Sequence, residues 1–373
     1  MRILMWVSFY WPQIGGVETI TRQLAHALKK RGHTVCIFAA HGNITLPDVS
    51  DDDGIVVHRF PFWEAIGQRD PLLIYATQKR LDAVKKEFAP DLIHLNCFDP
   101  SLFFQRRSAG VMPAPTVITL HWTPPSELWE INELLRQTLL EASWIVAISQ
   151  HQLGIVNTIM PSMSDRLSII VNGLNEPPIA SVPVAEDNQR ILCIGRLVRD
   201  KGFDLSLDAF AQIVGEFPNA RLIIAGDGIE RRSLQQLAQT LGIASQVDFT
   251  GWVSHEDVPE AMNQSSMVLM PSRFEPFGLV AVEAGQMSRP IIATAVGGLV
   301  DIVVDGETGL LVPDEDVAGL AGAIARLLRD PPLCARMGQA GSVRAREKFA
   351  AERNTADYES LFKRLTENTN VVA

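Results

Sequence analysis

The chain has 373 residues, of which 47% are hydrophobic and 20% charged, so it is long enough to bury more than one hydrophobic core. Its formal net charge of −10 argues against nonspecific binding to nucleic acid, which requires a basic face. Its four cysteines stand singly, without a CxxC spacing or a nearby histidine cluster. This pattern is typical of reduced thiols in a cytoplasmic protein and not of a disulfide framework.

The first residues, MRILMWVSFYW, form a short apolar run with one basic residue and no small-residue cleavage pattern. The run passes into Pro12, Gly15, Gly16 and an amphipathic segment. A buried first strand followed by a helix is therefore predicted instead of a signal peptide. No later apolar run reaches membrane-spanning length.

Short apolar runs alternate with helical patterns in the first half of the chain. Six runs are predicted to be buried strands: ILMWVSFY, TVCIFAA, DLIHLN, TVITLH, WIVAIS and LSIIVN. Amphipathic segments such as residues 18–31 and 71–88 lie between several of them. This alternation predicts a doubly wound parallel sheet, and we assign residues 1–172 to a first Rossmann-like α/β domain.

Residues 174–188, LNEPPIASVPVAEDN, contain three prolines and little periodicity, and are predicted to be a linker. A second series of strands follows: RILCIG, RLIIAG, VDFTG, MVLMP, PIIAT and GLLVP. The helices between them are predicted to begin near Phe203, Ile229, His255, Gly278 and Val317. We assign residues 173–354 to a second Rossmann-like domain and expect the last helix, about 355–366, to pack back on the first. Ligands of such sheets bind at the carboxyl ends of the strands, so the active site is expected in a cleft between the two domains.

The segment EPFGLVAVE, residues 275–283, follows an apolar strand and runs into a helix. Free N–H groups and the helix dipole at such a start favour a phosphate. Glu275, just before the helix, and Glu283, two turns along, are able to accept hydrogen bonds from hydroxyl groups on either side of it. The alternative is an amphipathic helix with two solvated glutamates.

The segment GRLVRDKG places Arg196 and Lys201 on one loop between a strand and a helix. Two cations there can hold a diphosphate and stabilise the negative charge of a leaving phosphate. Two solvated surface cations are the alternative.

Two further strand ends carry candidate residues. Gly15 and Gly16 precede the first helix, where they allow close approach of a phosphate or sugar; a plain tight turn is equally compatible with the pair. His121 ends the strand TVITLH, where it could bind a sugar hydroxyl or transfer a proton, although a lone histidine at a strand end is more often structural.

Two acidic runs were considered as metal sites. Residues 51–53 run into Gly54, and residues 314–316 precede a helix, as turn and cap residues do. Neither run contains a histidine or follows a strand into the expected cleft, so no metal site is predicted.

Basic pairs in the first half raise the question of a membrane surface. Arg106 and Arg107 directly follow Leu102, Phe103 and Phe104, so that an amphipathic, locally basic patch is predicted there. Such a patch can touch a membrane or an anionic acceptor, and a solvated helix face is the alternative.

Several of these motifs occur together and in order: the early GG loop, the strand-end His121, VNG at residues 171–173, GRLVRDKG, EPFGLVAVE, and GGLVDIVVDGETGLLV at residues 297–312. In this the chain closely resembles the retaining family-four glycosyltransferases of the GT-B fold, over nearly its whole length. It departs from the family at Asn175, where relatives often carry aspartate, so no hinge role is carried over to that residue.

The resemblance implies a role for each candidate residue. Arg196 and Lys201 would bind the donor diphosphate, Glu275 the sugar hydroxyls and Glu283 the ribose. The backbone of Phe277, Gly278 and Leu279 would bind the distal phosphate, Gly16 would approach the donor phosphate or the acceptor, and His121 would contact the sugar. Such enzymes usually need no metal or cofactor.

The implied reaction is transfer of a hexose, glucose or a close relative, from a UDP sugar to an acceptor hydroxyl with retention of configuration. Glu275, His121, Arg196 and Lys201 are the expected catalytic residues. The expected process is polysaccharide or glycolipid synthesis, with a sugar, lipid-linked or small-molecule acceptor and no nucleic acid as partner. The expected location is the cytoplasm, with peripheral contact with the inner membrane face. Two alternatives are a nucleotide-sugar epimerase and a nonenzymatic nucleotide-sugar binding protein.

Overall fold

The computed structural model describes residues 1–42, 44–122 and 133–370, which divide into two compact units. Unit 1 comprises Met1–Gly173 and the residues from Ala351 onward, and unit 2 comprises Leu174–Ala350. The chain thus passes between the units after Gly173 and after Ala350, whereas the sequence placed the boundaries after residues 172 and 354.

An eight-stranded sheet, in the order β3-β4-β2-β1-β5-β6-β7-β8, forms the centre of unit 1. Neighbouring strands are parallel except β3 and β4, which form an antiparallel hairpin. The strands are β1 (Arg2–Trp6), β2 (Thr34–Ala40), β3 (Val49–Asp51), β4 (Val56–Phe60), β5 (Leu92–Leu95), β6 (Thr116–Leu120), β7 (Trp144–Ala147) and β8 (Leu167–Ile169).

Helices cover both faces of this sheet, which is why its central strands are apolar on both sides. They are α1 (Gly16–Lys30), α2 (Phe62–Gly67), α3 (Pro71–Phe88), α4 (Ser101–Arg107), α5 (Glu133–Glu141), α6 (Gln150–Ile159) and, from the end of the chain, α14 (Ala351–Asn370).

The hairpin of β3 and β4 was not predicted, because its outer strand is short and polar and its turn is the acidic run 51–53. Asp53 and Gly54 have φ values of 50° and 78°, as the two central residues of a tight hairpin turn do. The backbone of Asp52 and Ile55 pairs across this turn. The run is therefore a turn, as predicted, and residues 314–316 also match their prediction, since Asp316 caps a helix by accepting from the Gly319 amide.

Asp52 itself is buried, which the sequence did not indicate. Its carboxylate accepts hydrogen bonds from Tyr10, Arg22 and His26, and the bonds from Nη2 and Nε of Arg22 measure 2.7 and 2.8 Å. Side-chain atoms of His26, Asp52 and Asp53 lie within 4.8 Å of one another, a spacing that could suit a metal ion. Because Arg22 already neutralises Asp52, this cluster is built as an ion-pair network that anchors the hairpin to α1.

Helix α14 packs within unit 1. Tyr358 and Phe362 contact the ring of His94 on β5, with ring centroids 5.0 and 5.3 Å away. At the surface, Glu359 pairs with Arg31 at 2.6 Å and with His33 at 3.0 Å. The last helix of the chain thus completes the core of the first unit.

Unit 2 contains a fully parallel six-stranded sheet in the order β11-β10-β9-β12-β13-β14. Its strands are β9 (Arg190–Ile194), β10 (Arg221–Ala225), β11 (Val247–Gly251), β12 (Met267–Met270), β13 (Ile291–Thr294) and β14 (Gly309–Val312). Its helices are α7 (Phe203–Ile213), α8 (Arg231–Thr240), α9 (Val258–Asn263), α10 (Leu279–Gln286), α11 (Leu299–Ile302), α12 (Val317–Arg329) and α13 (Pro331–Lys348).

The proline-bearing segment 174–188 was predicted to be a linker, but hydrogen bonds fix it along unit 2. Asn263 accepts from the Val182 amide and donates to the Ala180 carbonyl, both at 3.0 Å. The buried guanidinium of Arg289 donates to the Val182 carbonyl at 2.9 Å. The passage between the units therefore lies before this segment and not within it.

The predicted amphipathic patch on α4 is formed only in part: Phe103 is half-buried, and the exposed guanidinium of Arg107 lies 5.3 Å from its ring centroid. Leu102 and Phe104 are buried in the core of unit 1, and Phe103 packs against that core. Arg106 forms an ion pair with Glu141 at 3.0 Å. Within the described residues, no helix has the length and apolar character needed to cross a membrane.

Candidate active site

The carboxyl edge of the unit 2 sheet has a topological switch point between β9 and β12. These two strands are neighbours, with Met267 opposite Ile191. The next strand in the chain after β9, β10, lies on one side of this pair, and the next strand after β12, β13, lies on the other side. The loops after β9 and β12 therefore leave the sheet side by side. Such a switch point is where parallel α/β sheets bind ligands.

The loop after β9 is held in place by the loop after β10. The amides of Gly195 and Leu197 donate to the carbonyls of Ala225 and Asp227, at 3.0 and 2.9 Å. Arg196 lies between them and is exposed, and its guanidinium has no ion pair or hydrogen bond in the described part of the chain. The hydrogen-bonded backbone thus fixes the point from which this exposed side chain extends.

Glycines 226 and 228 make this close packing feasible. A Cβ on Gly226 would lie 1.9 Å from the Gly195 carbonyl oxygen, and one on Gly228 would lie 2.3 Å from that of Leu197. The sequence motif GDG at residues 226–228 is the sequence signal for this contact.

Lys201 ends a 3-10 turn of residues Arg199–Lys201, and Gly202 follows it with φ of 64°. A Cβ on Gly202 would lie 1.9 Å from the carbonyl oxygen of Pro271, so the loops after β9 and β12 are in direct backbone contact. Across this contact, the ammonium group of Lys201 lies 2.5 Å from the carboxylate of Glu275. Glu275 is buried, so the two predicted residues form a largely desolvated ion pair.

Arg273 joins the same two loops and was missed in the sequence. Its guanidinium makes a two-bonded ion pair with Asp204, at 2.7 and 2.8 Å, and pairs with Glu315. Its backbone amide donates to the Asp200 carbonyl at 2.8 Å. The two carboxylates raise the pKa of Arg273 above its ordinary value. An arginine in a polar loop gives no sequence signal for such a role, because its partners are far away in the chain.

Helix α10 begins immediately after Gly278, which has φ of 110° and provides no side-chain cap. Its first N–H groups and the positive end of its dipole can therefore serve an anion. The side chain of Phe277 is buried, with its ring centroid 6.0 Å from that of Phe349, so only its backbone is available to a ligand. Leu279 is the first residue of the helix.

Two glycines after β13 support this turn. A Cβ on Gly297, which has φ of 52°, would lie 1.9 Å from the Glu275 carbonyl oxygen. A Cβ on Gly298 would lie 2.5 Å from the Phe277 carbonyl oxygen, and the Gly298 amide donates to the Glu275 carbonyl at 2.9 Å. The GG pair of the motif at residues 297–312 thus sets the position of Glu275.

Glu283 lies one turn into α10 and is mostly buried. Burial raises the pKa of its carboxyl group to about 7. Nδ1 of His255, in the loop after β11, lies 3.5 Å from one carboxylate oxygen. A carboxyl group with this pKa can change its charge near neutral pH. His255 is a neighbour of the site that carries no sequence signal, because it lies in a different loop.

The other predicted site residues belong to unit 1. Gly15 caps α1 in extended conformation, and Gly16 is the first residue of the helix. The Glu18 side chain lies over this turn, since a Cβ on Gly15 would be 2.3 Å from its Oε2. The Glu18 carboxylate thus occupies the space beside this helix start that a side chain at position 15 would fill.

His121 follows β6 at the carboxyl edge of the unit 1 sheet. Its Nε2 lies 2.9 Å from Oδ1 of Asn96, which follows the neighbouring strand β5. Burial lowers the pKa of His121 to about 4, so its ring is neutral at pH 7.

The structure therefore divides the predicted site residues into two groups. In unit 2 it brings together the loops and helix that carry Arg196, Lys201, Glu275, Phe277, Gly278, Leu279 and Glu283. In unit 1 the carboxyl edge of the sheet carries Gly15, Gly16 and His121.

Two family models match the chain. Residues 14–176 match Glycosyltransferase Family 4, and residues 178–344 match Glycosyl transferases group 1. Among curated proteins, the chain is 28% identical to glycogen synthase of Mycobacterium tuberculosis, over 94% of this chain and 91% of that protein. It is 25% identical to N-acetyl-alpha-D-glucosaminyl L-malate synthase of Bacillus anthracis, over 97% of both chains.

Solved structures with the same fold cover nearly the whole chain. Sucrose-phosphate synthase of Thermosynechococcus elongatus has a TM-score of 0.85 and 25% identity, covering 99% of this chain and 100% of that one. Anabaena HepE, solved with UDP, has a TM-score of 0.80 and 22% identity, covering 98% and 100%. Both the family resemblance and the predicted α/β fold are confirmed: the chain belongs to the family-four glycosyltransferases of the GT-B fold.

Proposed function

We propose that this glycosyltransferase moves a hexose, glucose or a close relative, from a UDP sugar to an acceptor hydroxyl with retention of anomeric configuration. The observation that carries the proposal is the pairing of Lys201 with the buried Glu275, beside the free guanidinium of Arg196 and the uncapped start of α10. Cations for a diphosphate and a carboxylate for hydroxyls thus lie on adjoining loops at one switch point.

Each part of the donor has a partner of suitable chemistry. Arg196 and Lys201 bind the diphosphate, and the backbone at Gly278 binds the distal phosphate. Glu283 accepts hydrogen bonds from the ribose hydroxyls when its carboxyl group is ionised. These positive groups supply the charge that a divalent metal otherwise provides, so we propose that no metal or cofactor is required.

Glu275 acts as a binder of sugar hydroxyls in this scheme. Its carboxylate is engaged by Lys201, which lowers its nucleophilicity and fixes its orientation. Retention then follows from attack on the face from which UDP departs. The bond between the sugar C1 and the phosphate oxygen breaks while the acceptor oxygen bonds to C1, and the acceptor proton passes to a departing phosphate oxygen.

The choice of donor is supported by the resemblance and by two relatives. The M. tuberculosis protein is named a glycogen synthase, and HepE has also been solved with UDP-glucose. We propose a sugar, lipid-linked or small-molecule acceptor, bound mainly by the loops of unit 1, since binding residues lie disproportionately on loops. We place the protein in the cytoplasm, because its four cysteines are all free and buried.

The proposal is tested by incubating the protein with UDP-glucose and other nucleotide sugars, with and without an acceptor mixture, and measuring products by mass spectrometry. Release of UDP together with a glycosylated product of retained configuration supports it. Interconversion of nucleotide sugars without release of UDP would identify an epimerase. Tight binding with neither transfer nor hydrolysis would identify a nonenzymatic binding protein.

A further inference from the structure

The hydrogen bond between Asn96 and His121 determines which nitrogen of the histidine can meet a ligand. Oδ1 of Asn96 lies 2.9 Å from Nε2 of His121, while Nδ2 of Asn96 faces the carbonyl oxygen of His94 at 3.4 Å. If the Asn96 amide were rotated by 180°, its Oδ1 would face the His94 carbonyl oxygen, and the two oxygens would repel each other. The amide therefore offers His121 an acceptor, and His121 must donate from Nε2.

A neutral imidazole has a single N–H group, so donation from Nε2 leaves Nδ1 with a lone pair. Nδ1 of His121 has no partner among the described residues, and the side chain is only partly buried. We propose that Asn96 is a positioning residue that holds His121 in the Nε2–H tautomer, so that Nδ1 accepts a hydrogen bond from a sugar hydroxyl. In this state His121 cannot donate to a phosphate, and it selects ligands that carry O–H groups.

The surroundings favour the neutral ring. Burial lowers the pKa of His121 to about 4, and the nearby His94 has its pKa lowered to about 3 by burial and by His121. Nε2 of His94 lies 2.8 Å from the Thr119 hydroxyl, which is linked in turn to Tyr358 on α14 at 2.8 Å. Burial raises the pKa of Tyr358 above its ordinary value. The hydrogen-bonded series His94, Thr119 and Tyr358 therefore adds no charge near neutral pH.

Among the described residues, the loop after β5 holds two further titratable groups, Cys97 and Asp99. Burial and the charge of Asp99 raise the pKa of Cys97 well above its ordinary value, so the thiol stays neutral. Asp99 accepts from the Ser101 amide at 2.8 Å, at the start of α4. The hydrogen-bond partner of His121 in the described part of the chain is thus an uncharged amide, which fixes the tautomer without favouring protonation.

The inference rests on the proposed function, in which His121 contacts the sugar, but its first test needs no turnover. Protein labelled with ¹⁵N in its eight histidines is measured by long-range proton–nitrogen NMR, and His121→Gln identifies the His121 signals. We expect the Nε2–H tautomer with no titration between about pH 5.5 and 8. An Nδ1–H tautomer, or titration in this range, overturns the proposal.

Two substitutions of Asn96 separate positioning from structural support. Asn96→Ala removes the acceptor, so the tautomers mix and kcat falls about tenfold at every pH, with unchanged affinity for UDP. Asn96→Asp restores an acceptor but stabilises the imidazolium, raising the His121 pKa by about 1 to 3 units. Its activity is then low at acidic pH and recovers toward that of the wild type at alkaline pH.

If Asn96 had only a structural role, Asn96→Asp would be less active than Asn96→Ala at every pH, because a buried carboxylate is tolerated less well than alanine. Asn354→Ala is the matched control: it removes another buried amide of unit 1, which donates to the Val171 carbonyl at 2.7 Å. It should lower the melting temperature and leave the tautomer and the pH profile unchanged. If Asn96→Asp does not fold, the His121 tautomer in the wild type and the tautomer and kcat of Asn96→Ala still test the role of Asn96.

The two proposals fail in different ways. If the wild type turns over no nucleotide sugar, the proposed function fails whatever the tautomer of His121. If the wild type is active but Asn96→Ala keeps both the tautomer and kcat, the role of Asn96 is refuted and the proposed function stands.

Discussion

The ammonium group of Lys201 lies 2.5 Å from a carboxylate oxygen of Glu275, although the residues are 74 positions apart in the chain. Each comes from a different loop at the switch point, and the pair is largely shielded from water. Lys201 is therefore shared between a protein carboxylate and the diphosphate that we propose as its ligand. This sharing couples binding of the nucleotide to orientation of the sugar.

The first prediction separates the two glutamates of the site. Glu275→Ala should lower kcat strongly, because it removes contacts that orient the sugar in the transition state. Its affinity for UDP should be retained or increased, since Lys201 is released to the phosphates. Glu283→Ala should instead weaken UDP binding by about 1.5 to 3 kcal/mol, the value of charge-assisted hydrogen bonds.

Calorimetry with UDP and steady-state kinetics on both variants decide this, with melting curves to confirm folding. Glu275→Gln is the matched control for shape, and it should resemble Glu275→Ala in turnover. Loss of UDP affinity in Glu275→Ala together with normal affinity in Glu283→Ala would show that the roles are reversed.

The raised pKa of Glu283 gives the second prediction, a dependence of stability on pH. The folded state holds this proton up to about pH 7, whereas the unfolded chain releases it near 4.5. Stability is thus lost as pH rises through this window, by about 3 kcal/mol in total. Glu283→Gln cannot ionise, so its stability relative to the wild type should rise by about 2 to 3 kcal/mol between pH 5 and pH 8.

Urea unfolding of the two proteins at both pH values measures this difference. The comparison at pH 5 is the internal control for any change in packing caused by the amide. An equal difference between the proteins at both pH values would mean that burial does not disfavour the ionised carboxylate.

The sequence revealed the parts of the site that lie within single motifs. Arg196, Lys201 and Glu275 could be selected because a cation or carboxylate at the junction of a strand and a helix has a direct chemical meaning. Glu283 could be selected because it lies in the same motif as Glu275, two turns along. Arg273 and the glycines at 226 and 228 could not, because their function lies in contacts between segments far apart in the chain. The burial of Leu102 and Phe104 was missed for a related reason: local amphipathic character does not show which face the tertiary structure buries.

The third prediction concerns Gly297, whose Cβ position lies against the Glu275 carbonyl. Gly297→Ala must displace the Glu275 peptide and should lower kcat as well as stability. Gly306→Ala is the matched control, because Gly306 also has positive φ, 75°, but a Cβ there meets no atom within 4 Å. It should cost about 1 kcal/mol of stability from backbone strain and leave kcat unchanged. Equal kcat values for the two variants would show that contact with Gly297 does not position Glu275.

The fourth prediction is that UDP binds equally well with and without magnesium, because Arg196, Lys201 and the start of α10 supply the positive charge. Calorimetry in the presence of a chelator measures this. Arg196→Ala should weaken UDP binding about 10- to 100-fold. Arg199→Ala, which removes another exposed cation of the same loop, should change it little. Binding that appears only when a divalent metal is added would refute a metal-independent site.

The fifth prediction concerns Arg273, which ties the Lys201 loop to the Glu275 loop. Arg273→Ala leaves Asp204 without its two-bonded partner and should cost about 2 to 3 kcal/mol of stability. It should also lower kcat, since the position of Lys201 relative to Glu275 depends on the contact between the loops. Urea unfolding and initial-rate kinetics at low temperature, where the variant stays folded, measure the two effects.

Arg329→Ala is the control for this variant. Arg329 also makes a two-bonded ion pair, with Glu216, but both partners are exposed, and solvent screening leaves such a pair little effect on stability. It lies outside the site loops and should leave kcat unchanged. If Arg273→Ala is destabilised yet keeps the kcat of the wild type, Arg273 supports the fold alone. The separation of Lys201 and Glu275 would then be set by backbone packing at Gly202 and Gly297, where the carbonyls of Pro271 and Glu275 leave no room for a side chain.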